Sequence, residues 1–188
     1  LMDEASKEKL ILTTLHGQIP AIDLGEGATS VNMGQPALEW DQVPLSENIP
    51  TLELPIEGSP TATGMGNPHC TFFVEDAEKI NLEEMGPKFE NHPLFPERTN
   101  VQFASIKAPN QIRMRVWERG VGVTLASGSS SCATAVAANR RGLTEKKVQI
   151  ELDGGILNIN WLEDGVWMTG PTMKVFTGNF SEEFLNSL

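Results

Sequence analysis

A turn of small residues that opens onto an apolar helix is the stretch of this sequence best suited to chemistry. Residues 126–131 read Ala-Ser-Gly-Ser-Ser-Ser. The segment that follows, Cys132 to Ala138, is apolar except for Thr134. Any of the serines can cap the helix, and a helix apolar nearly all round is buried. The free N–H groups of its first turn favour a carboxylate or phosphate. A capped core helix that binds no ligand is equally consistent with this stretch.

A second such stretch runs from Gly64 to Cys70 and reads GMGNPHC. Its glycines and its Asn-Pro pair indicate a turn that exposes backbone groups. Asn67 offers a donor and an acceptor, and His69 beside the turn could hydrogen-bond a ligand. On local grounds the favoured interpretation is a turn in which both side chains satisfy nearby backbone groups.

Strand-like segments surround these two stretches. Residue types and alternation predict strands at 10–15, 19–24, 29–33, 71–74, 99–103, 112–118, 148–152, 156–162, 166–169 and 173–177, with a weak signal at 51–56. A hairpin turn is predicted at 153–155, and residues 36–62 read as a crossing between two units. The pattern indicates an α+β fold in which a mostly antiparallel sheet curves around one buried helix.

Capping residues mark the helix ends. Asn81, with Glu84 three residues on, has the form of a capping box, and Pro87 fits the first turn of a second short helical piece. Residues 139–141 suit the last turn of the central helix, and Gly142 suits its stop.

Composition restricts the class of protein. The 188 residues include 25 acidic and 14 basic side chains, and the net charge of −11 argues against a nucleic-acid surface. No apolar run approaches the roughly 20 residues that span a membrane, and no signal peptide is visible, so a cytoplasmic protein is expected. Cys70 and Cys132 do not suggest a disulfide framework. His16, His69 and His92 are far apart, so no metal site is expected.

Five blocks carry a family resemblance: MGNPHC, FENHPLFPERTNVQF, WERGVGVTLASGSSSCATAVAANRRG, GGILNINW and WMTGP. In this order, from about Val31 to the end, they resemble the second half of a diaminopimelate epimerase. The resemblance implies two pseudo-symmetric domains, each a curved sheet around a central helix, with the active site between them. It implies no pyridoxal phosphate and no metal, and the family commonly forms homodimers.

The resemblance also implies a domain division. Residues 1–34, joined by a last strand near 172–188, would be a remnant of the first epimerase domain, and residues 35–171 would be the second domain. The rest of the first domain would lie upstream, in keeping with a sequence that begins without Met.

In this family two cysteines, one per domain, flank the α-carbon of the substrate. One removes the α-proton as a thiolate and the other protonates the opposite face, which converts LL-diaminopimelate to the meso form, a precursor of lysine and peptidoglycan. An α-proton is weakly acidic, so its removal needs an activated base and stabilisation of the developing charge. The backbone N–H groups of Gly128 and Ser129 would supply that stabilisation.

The resemblance assigns the other site residues one by one. Asn67 and His69 match the pair that lines the site, and Asn100 matches the asparagine that holds the distal amino acid end. Glu118 and Arg119 match the pair that binds the ammonium and carboxylate groups of diaminopimelate. The alternative for Glu118 and Arg119 is a surface ion pair.

Ser127 is the main departure from the family. Residues 126–128 read Ala-Ser-Gly where the family has Ala-Cys-Gly, so a serine stands at the position of the catalytic cysteine. A hydroxyl gives almost no alkoxide at neutral pH without a partner base. Cys132 lies inside an apolar helical segment and Cys70 is expected to pack, so neither replaces it. Val123 stands where glutamate is frequent, which is a milder change.

Three functions remain open at this point. The first is a diaminopimelate epimerase, impaired in this chain by Ser127 and by the missing first domain. The second is a related racemase or a phenazine-pathway-type isomerase of the same fold. The third is a non-catalytic half-protein. By the mechanism above, this polypeptide alone should be nearly inactive.

Overall fold

The fold is seen in a computed structural model that describes residues 8–14 and 17–187. The described residues do not include Leu15, which ends the strand predicted at 10–15, nor His16 or the start of the chain. The strands are β1 (Lys9–Thr14), β2 (Gly17–Gly25), β3 (Ala28–Asn32), β4 (Thr61–Gly64), β5 (Pro68–Phe73), β6 (Asn100–Ala108), β7 (Gln111–Glu118), β8 (Gly122–Val123), β9 (Lys147–Leu152), β10 (Gly155–Leu162) and β11 (Gly165–Pro171). The helices are α1 (Leu82–Glu90), α2 (Gly128–Arg140) and α3 (Glu182–Leu185), and a 3-10 turn spans Ala77–Lys79.

The described strands form one sheet in the order β1-β2-β3-β11-β10-β9-β7-β6-β5-β4, with β8 paired to β7. The pairs β5–β6 and β7–β9 are parallel, and the other described pairs are antiparallel. The mostly antiparallel sheet predicted from the sequence is therefore confirmed, including the tight hairpin between β9 and β10.

The central helix α2 lies inside the curve of this sheet. It contacts β4, β5, β6, β9, β10 and β11. Seven neighbouring strands would extend about 30 Å if the sheet were flat, since strands are about 4.8 Å apart, whereas a helix is about 10 Å wide. The sheet must therefore bend around the helix. Residues 130–138 of α2 are all buried, and the sequence predicts this burial for the apolar segment 132–138.

Strand alternation divides the interior into two cores on opposite faces of the sheet. Ile112, Met114 and Val116 of β7 pack with α2, whereas Phe72 and Phe103 pack with α1 on the other face. Because side chains of a strand alternate between faces, the residues between these core positions share the opposite face. His69 and Gln102 are thereby placed on the α2 side.

Helix α1 corrects two predictions. The segment is one continuous helix with Pro87 inside it, so the predicted second helical piece is wrong. Asn81 is the N-cap residue, but its side chain makes no cap hydrogen bond and its amide contacts the Glu84 carboxylate instead, at 3.3 Å. Proline in a helix removes one backbone hydrogen bond. Packing of Leu82 and Phe89 into the second core keeps the helix intact nonetheless.

Gly86 of α1 lies directly against the indole ring of Trp117, and a Cβ at position 86 would overlap ring atoms. We expect Gly86→Ala to lower the free energy of unfolding by about 2 kcal/mol, because overpacking outweighs the better helix propensity of alanine. Urea unfolding measures this loss, with Glu83→Ala on the exposed face of α1 as the matched control. A Gly86→Ala protein more stable than the parent would contradict the contact.

Two strand predictions are wrong. Residues 51–56 are irregular, and their apolar side chains Leu54 and Ile56 pack into the second core. Isolated backbone hydrogen bonds, such as that from the Leu54 N–H to the Pro60 carbonyl at 2.8 Å, take the place of regular strand pairing. Residues 172–181 form no strand, so neither the strand at 173–177 nor the last strand near 172–188 is found within 172–187. Among the described helices, none has the length and apolar character needed to cross a membrane.

Candidate active site

The first turn of α2 is built by Ser127 and the residues after it. Ser127 is the N-cap residue, with extended backbone, and its carbonyl accepts from the Ser131 hydroxyl at 2.8 Å. Its own hydroxyl makes no cap bond. A Cβ at Gly128 would come within 2.8 Å of the Met168 sulfur, so glycine allows this close approach. Within the described residues the N–H groups of Gly128 and Ser129 donate to no protein group.

The Ser127 hydroxyl is instead directed at a carboxylate. Glu118 ends β7, and its Oε2 lies 3.0 Å from the Ser127 Oγ. Its Oε1 accepts from the Thr124 hydroxyl at 2.6 Å. The loop between these residues is folded back by the antiparallel pairing of β7 with β8. The Glu118 carboxylate is thus in a position to accept a proton from the Ser127 hydroxyl.

Glu118 and Arg119 do not form the ion pair that was the alternative, judged on the residues that the structure describes. The Arg119 guanidinium donates to the Glu97 carbonyl at 3.0 Å, while its backbone N–H donates to the Asn100 Oδ1 at 2.9 Å. The Asn100 amide also donates to the Pro68 carbonyl at 3.0 Å. Asn100 therefore ties the turn before His69 to the turn that carries Arg119.

His69 lies fully buried on β5, next to Asn100 on β6. Its Nε2 is 2.8 Å from the Asn67 Oδ1, and its Nδ1 is 3.1 Å from the Gln102 amide nitrogen. The same nitrogen of Gln102 lies 3.1 Å from the Ser130 Oγ, which is 3.0 Å from the Ser127 Oγ. One chain of hydrogen bonds therefore joins the GNPH turn to the first turn of α2.

The donors along this chain can be assigned. Gln102 Oε1 accepts from the Thr71 hydroxyl at 3.1 Å, which orients the amide so that its NH₂ group faces Ser130 and the Nδ1 of His69. Nδ1 must then be unprotonated, and Nε2–H donates to Asn67. Since a hydroxyl has one proton, Ser130 donates to Ser127, and Ser127 donates to the carboxylate.

Burial keeps the imidazole of His69 neutral. Desolvation, followed by the positive charge of Arg119, lowers the pKa of His69 from 6.5 to about 3. A buried imidazolium would lose its hydration, and the Nδ1 side offers an amide donor rather than an acceptor. His69 is therefore a neutral hydrogen-bonding residue at physiological pH.

Both cysteines are packing residues, as the sequence predicts. Cys70 and Cys132 are completely buried, in the second core and the α2 core respectively. Desolvation raises the pKa of both thiols, that of Cys132 to about 12, so neither supplies a thiolate near neutral pH. Within the described residues no group of three His, Cys, Asp or Glu side chains could hold a metal ion.

The structure brings the residues predicted from the sequence into two adjoining groups. Asn67, His69 and Asn100 form one group, while Glu118, Ser127 and the amides of residues 128–129 form the other. Sequence reasoning missed Gln102, Ser130 and Thr124, which join and orient these groups. For Gln102 a signal existed, because a polar residue two positions from Asn100 on a strand faces the same side.

Known proteins resemble this chain in sequence and in fold. The family described as diaminopimelate epimerase matches residues 61–175. A diaminopimelate epimerase of Rhodospirillum centenum is 47% identical over 188 residues, covering 97% of this chain and 65% of the relative. One of Acidiphilium cryptum is 46% identical over 191 residues, covering 98% and 69%. The chain thus spans about two thirds of the length of these curated relatives.

Solved structures support the fold. A predicted epimerase from Pseudomonas aeruginosa matches with a TM-score of 0.59 at 16% identity, covering 87% of this chain and 63% of that one. A probable proline racemase from Agrobacterium radiobacter matches with a TM-score of 0.64 at 14% identity, covering 94% and 62%. The identity to the curated relatives and the match across residues 61–175 together show that this chain belongs to the diaminopimelate epimerase family.

Proposed function

We propose that this chain forms the second half of the active site of a cofactor-independent epimerase that interconverts LL- and meso-diaminopimelate. The observation that carries the proposal is the hydrogen bond from Ser127 to Glu118, 3.0 Å long, at the N-terminus of a buried helix. A hydroxyl and a carboxylate thus lie beside the N–H groups of Gly128 and Ser129, which donate to no protein group among the residues that the structure describes. Such an arrangement suits transfer of an α-proton next to a bound carboxylate.

In this proposal the N–H groups of Gly128 and Ser129 bind the α-carboxylate of the substrate. They also stabilise the charge that develops when the α-proton leaves, because the helix dipole is positive there. Arg119 and Asn100 hold the distal amino acid end, and Asn67 with neutral His69 lines the site. The Ser127 side chain faces the α-carbon, where it exchanges a proton with Glu118 as its partner.

Ser127 limits the rate that this half-site can reach. A hydroxyl is far less acidic than a thiol, so proton transfer through Ser127 is slow even beside a carboxylate. Ser127 also favours a second candidate, a non-catalytic protein that binds the amino acid without turning it over. A related racemase of the same fold is the remaining alternative.

The domain division belongs to the same proposal. β1, β2 and β3 extend the sheet beyond β11 and, with residues 172–179, enclose a groove of about 1120 Å³. Large apolar side chains that line this groove are exposed, among them Leu12, Met173 and Phe176. These residues would belong to the first epimerase domain, and the rest of that domain would bury their apolar side chains, because exposed apolar patches of this kind mark contact surfaces. The proposal also includes diaminopimelate as the small-molecule partner. It further includes assembly into a homodimer and a location in the cytoplasm.

Binding of diaminopimelate tests the proposal directly. Titrating the ¹⁵N-labelled chain with meso-diaminopimelate should move the amide signals of Gly128, Ser129 and Arg119. Arg119→Leu should weaken binding about tenfold, because it removes a charged contact to the ligand. Arg141→Leu, at the opposite end of α2, is the matched control.

Two other ligands distinguish the alternatives. Lysine, which carries a single amino acid end, should bind more weakly than diaminopimelate if Arg119 and Asn100 hold the distal end. Equal binding of lysine, or tighter binding of proline, would favour a related racemase. Shifts confined to residues outside the site would contradict the proposal.

A further inference from the structure

A buried carboxylate at the end of α1 lies beneath the turn that carries Glu118 and Arg119. Glu90 is the last residue of α1, and its side chain is 7% exposed. An acidic residue at a helix C-terminus faces the negative end of the helix dipole, and burial adds a desolvation cost. Glu90 is thus unfavourable in its local position, and residues of this kind are typical of functional sites.

Three donors compensate this carboxylate. The Glu90 Oε1 accepts from the Arg98 guanidinium at 3.0 Å and from the Gly120 backbone N–H at 2.8 Å. Its Oε2 accepts from the Trp117 indole N–H at 2.6 Å. The guanidinium of Arg98 balances the charge, while the other two donors come from the residues immediately before and after the Glu118-Arg119 pair. Glu90 therefore holds both ends of this short segment.

A second contact fixes the same segment against α1. The Trp117 indole lies on the backbone of α1 at Gly86, where no side chain would fit. Trp117 can neither rotate away nor tilt without losing the hydrogen bond to Glu90. Gly120, at φ 75°, completes a tight turn in which the Val121 N–H donates to the Glu118 carbonyl at 3.0 Å. The direction in which the Glu118 side chain leaves β7 is thus set from the α1 face.

We propose that Glu90 is a positioning residue for Glu118 and Arg119, acting through Trp117 and Gly120 without contacting substrate. The inference rests on the proposed function for its effect on ligand binding. Without the carboxylate, the Gly120 amide and the Trp117 indole lose their acceptor and the turn relaxes. Glu118 then no longer holds Ser127 and Thr124 in their present geometry.

The test is Glu90→Gln in the full chain, which preserves side-chain volume. We expect the amide signals of Arg119 and Ser127 to shift in ¹⁵N spectra, although Ser127 does not touch Glu90. The affinity for meso-diaminopimelate should fall about tenfold, as expected for a misplaced binding group. Arg98→Gln is the control, because it removes the ion pair and leaves the bonds to Trp117 and Gly120.

A purely structural role gives a different result. If Glu90→Gln lowers the melting temperature but leaves the Ser127 and Arg119 signals and the affinity unchanged, the inference is wrong. If Glu90→Gln fails to fold, Trp117→Phe removes the indole donor, retains an aromatic ring next to Gly86 and should produce the same shifts. If the parent chain binds no diaminopimelate, the proposed function fails, while the Ser127 and Arg119 signals still decide the role of Glu90.

Discussion

Lowering the pH from 6.5 to 3 is expected to reduce the free energy of unfolding by on the order of 5 kcal/mol through His69. Desolvation and the charge of Arg119 lower the pKa of the folded His69 to about 3, whereas the unfolded chain titrates near 6.5. Between these values the unfolded state binds a proton that the folded state does not. Stability is therefore complete above pH 6.5 and is lost as the pH falls.

The hydrogen bonds around His69 explain why the folded protein does not accommodate a protonated imidazole. Protonation of Nδ1 would bring an N–H against the NH₂ group of Gln102, whose other end is held by Thr71. The amide would have to turn over, breaking its bonds to Thr71 and Ser130. Acidification therefore disturbs the link between the GNPH turn and α2 as well as the imidazole itself.

Urea unfolding followed by tryptophan fluorescence measures this effect between pH 7 and pH 4.5. The parent protein should lose about 1.4 kcal/mol per pH unit from His69 below pH 6. His69→Gln should be less stable at pH 7 but should lack this slope. His92→Gln, at a half-buried position, is the matched control and should retain it. Equal slopes in the parent and in His69→Gln would refute the assignment.

Ser127→Cys is expected to give the largest change in activity. In heavy water the cysteine variant should exchange the α-proton of LL-diaminopimelate at least about 100-fold faster than the parent, the scale of a positioned acid–base group. The thiol is more acidic than the hydroxyl, and both the positive end of α2 and the nearby Glu118 suit proton transfer. Proton NMR follows the loss of the α-proton signal.

A double variant separates the roles of the two groups. Adding Glu118→Gln to Ser127→Cys removes the carboxylate but keeps a side chain of similar size, so the gain in exchange should largely disappear. Binding of diaminopimelate should persist in Ser127→Cys, which distinguishes a chemical effect from a change in affinity. Equal exchange in the parent and in Ser127→Cys would show that another base acts, and no exchange in Ser127→Cys would contradict the prediction.

Features decided by neighbouring residues could be predicted from the sequence. The small-residue turn, the apolar segment and Gly142 together predicted α2, which begins at Gly128 and ends at Arg140. The turn at 153–155 predicted the β9–β10 hairpin. Helix caps, strand alternation and turn residues act over a few positions. They can therefore be recognised in the sequence without knowledge of tertiary contacts.

Features that depend on a distant partner could not be predicted in this way. Residues 51–56 have the composition of a strand, but their apolar side chains pack into the second core and the segment forms no strand. Pro87 has the appearance of a helix start, yet it lies inside a helix held by core packing. Tertiary contacts outweighed local propensity in both places. Burial of apolar side chains contributes more free energy of folding than one backbone hydrogen bond does.

The residues of the site divide in the same way. The residue types alone show which chemical groups are present: a serine at the start of a buried helix, the Glu118-Arg119 pair and the GNPH turn. The connections between these groups are visible in the folded chain alone, where Gln102 and Ser130 link them on the α2 face and Glu90 holds them on the α1 face. Hydrogen bonds between residues 27 to 33 positions apart leave no local pattern, because their geometry exists only once the strands have paired.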